Sequence, residues 1–182
     1  MMRLPASCAR ASAVLLLTFL FAGDVFAAVA RTRTRSPVVR PAPDFAYTGV
    51  GGRKSLRSLR NQPVVLIVSR SPETRAFRKQ LKALETIYQE FASRGTVFVA
   101  AFSEKEGQIP SNIPLVVASN GPAVASAYGL RDDLVIAIIG RDGNLDLHTD
   151  RVLPAFRIRE VIQNSYAVQS AARKEMPKGP PQ

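Results

Sequence analysis

Three uninterrupted apolar runs constrain this chain more than any other feature: Val64-Val65-Leu66-Ile67-Val68, Val97-Phe98-Val99-Ala100-Ala101-Phe102 and Leu134-Val135-Ile136-Ala137-Ile138-Ile139. A strand with one wet face alternates apolar and polar residues, because successive side chains point to opposite sides of the sheet. Runs without that alternation are strands covered on both faces, which requires packed elements above and below.

The segments between the runs supply those elements. Ser71-Pro72 offers an N-cap and a first-turn proline, and Phe77, Leu81, Leu84, Tyr88 and Phe91 recur at spacings of three and four. This predicts one long amphipathic helix that stops near Gly95. Its opposite face carries Arg75, Arg78, Lys79, Lys82, Glu85 and Glu90. Strand, helix and strand in this order make a right-handed crossover. Further along, residues 115–118 form a short strand, and residues 122–128 a brief helix closed by Gly129. The run from Leu134 meets Arg141-Asp142-Gly143-Asn144, a turn, and then the alternating Leu145-Asp146-Leu147-His148-Thr149, so a β-hairpin is expected. Residues 154–168 complete the domain as a helix with Ile158, Val161, Ile162 and Tyr166 toward the sheet.

Both ends differ from this middle. Arg3 and Arg10 precede a short apolar run over residues 11–22, followed by small residues around Ala27 to Ala30. That is the order of a secretory signal over residues 1–30, and the run, about 18 Å long as a helix, is too short to span a bilayer. The expected result is an extracytoplasmic protein, periplasmic or secreted, without a transmembrane span in its mature form. Residues 31–43 hold Arg31, Arg33, Arg35 and Arg40 among Pro37, Pro41 and Pro43, and read as a basic, disordered linker. A domain over 44–168 and a disordered tail over 169–182 complete the division.

Charge and cysteine content limit the chemistry. The formal charge is +11, and removing residues 1–30 takes away Arg3, Arg10 and Asp24, which leaves +10. Such a balance favours anionic surfaces. Cys8 is the only cysteine and lies inside the signal. The mature chain is therefore expected to form no disulfide, thiolate metal site or cysteine nucleophile. No phosphate-loop glycine pattern, nucleotide fingerprint or aromatic nucleic-acid platform occurs, and no cofactor is implied.

The element order, together with Arg60-Asn61-Gln62-Pro63 before the first run, Ala127-Tyr128-Gly129 and Gly140-Arg141-Asp142-Gly143-Asn144, resembles the peroxiredoxin and thiol-disulfide branch of the thioredoxin-like superfamily over about residues 43–168. The resemblance implies an α/β, three-layer, thioredoxin-like fold with a central mixed sheet of four to five strands flanked by helices. It is nearest to cysteine-poor, peroxiredoxin-like domains of exported bacterial proteins. It also implies where redox chemistry would sit: a Cys-x-x-Cys or Thr-x-x-Cys at the start of the first long helix, where the helix dipole stabilises a thiolate. This chain reads Thr74-Arg75-Ala76-Phe77 there, and Asp132-Asp133-Leu134 where the superfamily tends to place a cis-proline.

Two other constellations remain. Arg70, Ser71, Thr74 and Arg75, with Ser69, surround a predicted helix N-terminus, which suits an anion; capping by Ser71 with both arginines in solvent explains the same residues. His148, the only histidine, stands between Asp146 and Asp150 on a strand, as a surface residue or a weak metal ligand. Neither pattern defines a catalytic, cofactor or metal site. The expectation is a non-catalytic exported domain that binds a protein, an envelope component or a small anion. The alternatives are a degenerate redox accessory or cysteine-independent enzyme, and envelope attachment through the basic tails.

Overall fold

The computed structural model describes residues 40–175, with side chains described as far as Ser165. The expected signal peptide, residues 31–39 of the linker and the end of the tail lie outside the described residues. The elements are β1 (Ala46–Gly49), β2 (Gly52–Ser55), a 3-10 helix (Leu56–Leu59), β3 (Val64–Ser69), α1 (Arg75–Glu85), α2 (Tyr88–Ala92), β4 (Val97–Phe102), β5 (Val116–Val117), α3 (Gly121–Ala127), β6 (Leu134–Ile139), β7 (Leu145–Thr149) and α4 (Ala155–Glu175).

The three apolar runs are the three inner strands of a five-stranded sheet with the order β5-β4-β3-β6-β7. β3 pairs in parallel with β4 and antiparallel with β6, so the sheet is mixed. Alternate residues of each run enter different cores, as the pleat requires. Val65, Ile67, Phe98, Ala100, Phe102, Ile136 and Ile138 pack against Phe77, Leu81, Leu84, Phe91, Ile158 and Ile162 of α1, α2 and α4. Val64, Leu66, Val68, Val99, Ala101, Val135, Ala137 and Ile139 pack against Phe45, Tyr47, Leu56, Val124 and Tyr128 on the other side. The result is the expected three-layer α/β fold.

Several details differ from the sequence expectation. The long helix is two helices, α1 and α2, because the Thr86 hydroxyl donates back to the Ala83 carbonyl at 2.8 Å and Ile87 N donates to Leu84 O at 3.0 Å, tightening the turn between them. Such back-bonding by a β-branched residue competes with the regular ladder. The break turns Ile87 into the core, 2% exposed, beside Leu84 and Phe91. Ser71 is not the N-cap: Ser71-Pro72-Glu73 form a turn, Thr74 holds the N-cap position, and helical bonding begins with Arg78 N to Thr74 O at 3.1 Å. The final helix runs beyond Val168 to Glu175.

Two N-terminal features were not expected. Residues 40–43, placed in the linker by composition, pair with the β6–β7 turn: Pro41 bridges Asn144, Ala42 N donates to Gly143 O at 3.0 Å, and Leu145 N donates to Arg40 O at 2.8 Å. Proline-rich chain can do this because each bond uses a non-proline N–H or a carbonyl. The β1–β2 hairpin then covers the β5 edge of the sheet, with Tyr47 bridging Ala118 and Ser119 N donating to Ala46 O at 2.8 Å. Its turn needs Gly51 and Gly52, whose φ angles are +90° and +111°.

α3 approaches β4 so closely that a Cβ on Gly121 would stand 1.6 Å from the Phe102 carbonyl oxygen. Backbone cannot yield to that contact without moving the helix, so Gly121→Ala is expected to lower stability by at least about 2 kcal/mol, measured by urea unfolding. Phe77→Ala is expected to cost about 3–5 kcal/mol in the same measurement, the range for emptying a buried aromatic site. A loss below about 1 kcal/mol would show that the ring does not carry the core.

Candidate functional site

The sheet delivers the C-terminal end of β3 to the start of α1, and the loop before β6 lies against it. Ser69, the last residue of β3, is fully buried and donates to the Asp133 carbonyl at 2.7 Å. Its Oγ is also 2.6 Å from Thr74 Oγ1, which in turn is 2.9 Å from the Ser71 carbonyl. Two hydroxyl protons thus serve three contacts, and both hydroxyls are engaged inside the protein. This network ties the N-terminus of α1 to the segment in which the superfamily's proline would be expected.

Phe77 lies one turn into α1. Its ring is fully buried and meets Phe102 edge-on, with centroids 5.1 Å apart at 68°. An aromatic pair of this geometry adds to the area it buries. The position implied for a reactive thiol is therefore core.

Arg70, Ser71, Thr74 and Arg75, a pattern that suits either an anion or ordinary capping of the helix, are placed differently from one another by the structure. Arg70 turns to the loop before β6: its Nε is 3.7 Å from Asp133 Oδ1, 3.8 Å from Glu104 Oε1 and 3.4 Å from the Asp132 carbonyl, and Nη2 is 3.5 Å from the Arg131 carbonyl. These contacts are long, and Arg70 is 45% exposed, so each contributes little. Ser71 hydrogen-bonds Glu73 and, with the backbone and nearby Lys105, holds that carboxylate below its ordinary range. Glu73 Oε1 is 3.6 Å from Lys105 Nζ. Thr74 is committed to Ser69 and Ser71 as described. Arg75 is exposed and forms no ion pair with a described residue. The rim of α1 is thus a mixed-charge surface in which acids already face Arg70 and Lys105, and Arg75 stands apart.

His148 is exposed on β7, and its Nε2 lies 2.8 Å from the Tyr128 carbonyl, to which it donates. It is therefore oriented by the end of α3 and not by Ser69 or Ser71. Asp146, on the same strand, is held above its ordinary range by desolvation first and by the charge of Asp142, with a Ser165 hydrogen bond opposing. No group of three histidine, cysteine, aspartate or glutamate side chains that could hold a metal occurs among the described residues.

One feature escaped the sequence analysis. A hollow of about 490 Å³ lies between the end of α3 and β7, lined among others by Arg40, Tyr128, Arg131, Asp132, His148 and Asp150. The signal that could have found it is Ala127-Tyr128-Gly129. Gly129 adopts φ +66° and turns the chain beneath His148, and the buried Tyr128 hydroxyl donates to the Pro43 carbonyl at 2.8 Å. Burial, and then the charge of Asp44, raises that phenol's pKa above its ordinary value.

No family profile matches the chain, and no curated protein matches it. Solved structures do. A putative thiol:disulfide interchange protein DsbE from Chlorobium tepidum is 19% identical with a TM-score of 0.55, covering 70% of this chain and 96% of that one. Thioredoxin peroxidase I from Plasmodium yoelii is 15% identical with a TM-score of 0.57, covering 79% and 98%. The peroxidoxin BcpB from Mycobacterium tuberculosis is 15% identical with a TM-score of 0.52, covering 73% and 96%. The chain has a thioredoxin-like fold with peroxiredoxin-like structural relatives. At these identities the likeness concerns the fold and leaves activity open.

Removing the Ser71 hydroxyl removes the first cause of the depressed Glu73 pKa. Ser71→Ala is expected to move the Glu73 titration upward toward 4.5, followed by carbon-detected NMR. A depressed carboxylate stabilises the fold above its unfolded-state pKa and loses that contribution as pH falls through its folded-state value, so the effect of the substitution disappears in acid. An unmoved Glu73 would show that the Ser71 contact is not populated.

Proposed function

We propose that the chain is exported, that its thioredoxin-like domain does no thiol chemistry, and that it acts by binding a partner at the surface around the start of α1. Phe77 carries this reading. Its ring occupies the place implied for the reactive cysteine and is packed on Phe102. A peroxiredoxin needs a thiolate to attack peroxide, and a disulfide exchanger needs one to form the mixed disulfide. With Cys8 in the expected signal segment, the mature chain holds no thiol for either step.

Neither serine nor histidine chemistry replaces it. The Ser69 and Thr74 hydroxyls are bonded to each other and to carbonyls, and His148 donates to the Tyr128 carbonyl. A nucleophilic serine needs a base within hydrogen-bond reach, and no hydrogen bond joins Ser69 or Ser71 to His148. The charged rim formed by Arg70, Ser71, Thr74 and Arg75 with Glu73, Glu104 and Lys105 instead suits recognition of a protein, an envelope component or a small anion.

No helix among the described residues is long and apolar enough to cross a membrane. Export is tested by mass spectrometry of the extracytoplasmic protein, which is expected to begin after Ala27 or Ala30; an intact Met1 would overturn it. The activity assay supplies that processed protein, checked for loss of Cys8, with peroxide and a thiol donor. No turnover above buffer is expected. Turnover that survives repurification and is lost on Thr74→Val or Arg75→Ala would replace this reading with a cysteine-independent enzyme.

A further inference from the structure

Arg75, Arg78, Lys79 and Lys82 occupy positions i, i+3, i+4 and i+7 of α1, and all four are exposed. At about 100° per residue they fall within an arc of about 100°, and they extend about 10 Å along the helix. None forms an ion pair with a described residue. The acids nearest in sequence are otherwise engaged: Glu73 pairs with Lys105, and Glu85 Oε1 accepts from Ser111 Oγ at 3.0 Å.

This arrangement is costly for the helix itself. Like charges three and four residues apart repel, and cations in the first turns oppose the positive end of the helix dipole. α1 has no acidic residue in its first turn to offset them. The opposite face of the helix is buried through Phe77, Gln80, Leu81 and Leu84, so core packing fixes the direction of the stripe toward solvent. A locally unfavourable feature that packing does not require is where function is to be sought.

We propose that this face of α1 binds a linear phosphate polyanion, such as a phosphodiester or polyphosphate chain of the cell envelope. The proposal rests on the reading of the domain as a binding module and names its partner. Cation rows one helical turn apart match a ligand that carries charge along a line, and the two arginines grip phosphate oxygens bidentately. Beside the stripe lies a hollow of about 200 Å³ lined by Arg78, Leu81, Lys82, Glu85 and Pro110. A lipid surface fits less well. Every large apolar side chain of α1 faces the core, and the exposed large hydrophobics among the described residues, Val50 and Phe156, lie on other segments.

The test measures binding of the purified, processed full chain to long-chain inorganic polyphosphate by fluorescence anisotropy between 50 and 200 mM salt. The variant Arg75→Gln/Arg78→Gln/Lys79→Gln/Lys82→Gln is expected to bind about tenfold more weakly or worse. Its log–log salt slope is expected to fall by about 3, near 0.7 per cation removed from a single-stranded polyanion. Thermal unfolding should show a domain at least as stable, since repulsion is relieved. Should that variant not fold, Lys79→Gln/Lys82→Gln is expected to lower the slope by about 1.4, half the loss of the fourfold variant. A control with the same charge change elsewhere, Arg53→Gln/Lys54→Gln/Arg57→Gln/Arg60→Gln, should stay within about threefold of the parent.

Results that overturn the proposal include equal losses in both variants, which would make net charge the cause; binding that depends on residues 31–39 and not on α1; and binding to phosphatidylglycerol vesicles without binding to polyphosphate. Absent binding together with absent thiol turnover overturns this proposal alone. Thiol turnover would overturn the reading on which it rests.

Discussion

The structure depends on β3 being covered on both faces while paired on both edges. Val64, Val65, Leu66, Ile67 and Val68 are each at most 1% exposed. Their odd and even members enter different cores, so a one-residue register shift of this strand is not tolerable: it would exchange the two sets of contacts. β4 and β6 are positioned by this strand through its parallel and antiparallel ladders. The helices follow, since α1, α2 and α4 bury apolar stripes on one side and α3 with the β1–β2 hairpin on the other. The close contact of Gly121 with Phe102 shows how little slack this layering leaves.

The same strand sets the character of the candidate site. β3 ends in Ser69, whose buried hydroxyl joins the Asp133 carbonyl to Thr74. Two segments 64 residues apart in sequence are thereby joined by hydrogen bonds at one point. A buried hydroxyl left without partners is costly, so this network holds the start of α1 against the loop before β6. The resemblance to thioredoxin-like redox proteins implies a thiolate at that junction. Here Phe77 makes it part of the core, and what remains accessible is a charged rim.

Electrostatics then distinguishes two parts of that rim. Arg70 and Lys105 face Asp133, Glu104 and Glu73 at 3.6–3.8 Å, in half-exposed pairs that organise side chains more than they stabilise the fold. The cations farther along α1 have no such counterparts among the described residues. Local neutralisation at the helix start beside a solvent-facing basic stripe is a division that net charge alone does not reveal.

Much of the fold was legible in the sequence, because continuous apolar runs, three-and-four spacing, Gly129 and the Asp142-Gly143 turn each report a local physical requirement. The β1–β2 hairpin leaves little pattern in the sequence, since Gly52, Arg53 and Lys54 of β2 are exposed. The division between α1 and α2 is equally silent, because the break at Thr86 arises from a side-chain bond that leaves the apolar spacing nearly intact. Composition placed residues 40–43 in a linker, while their hydrogen bonds to residues 143 and 145 come from a turn a hundred residues away. For the site, the sequence by itself determined that Cys8 is the single cysteine and that none lies in residues 40–175, a count that does not depend on folding. Which of Arg70, Ser71, Thr74 and Arg75 remain available was decided only by tertiary structure, because Asp133, Glu104 and Ser69 reach them across the fold.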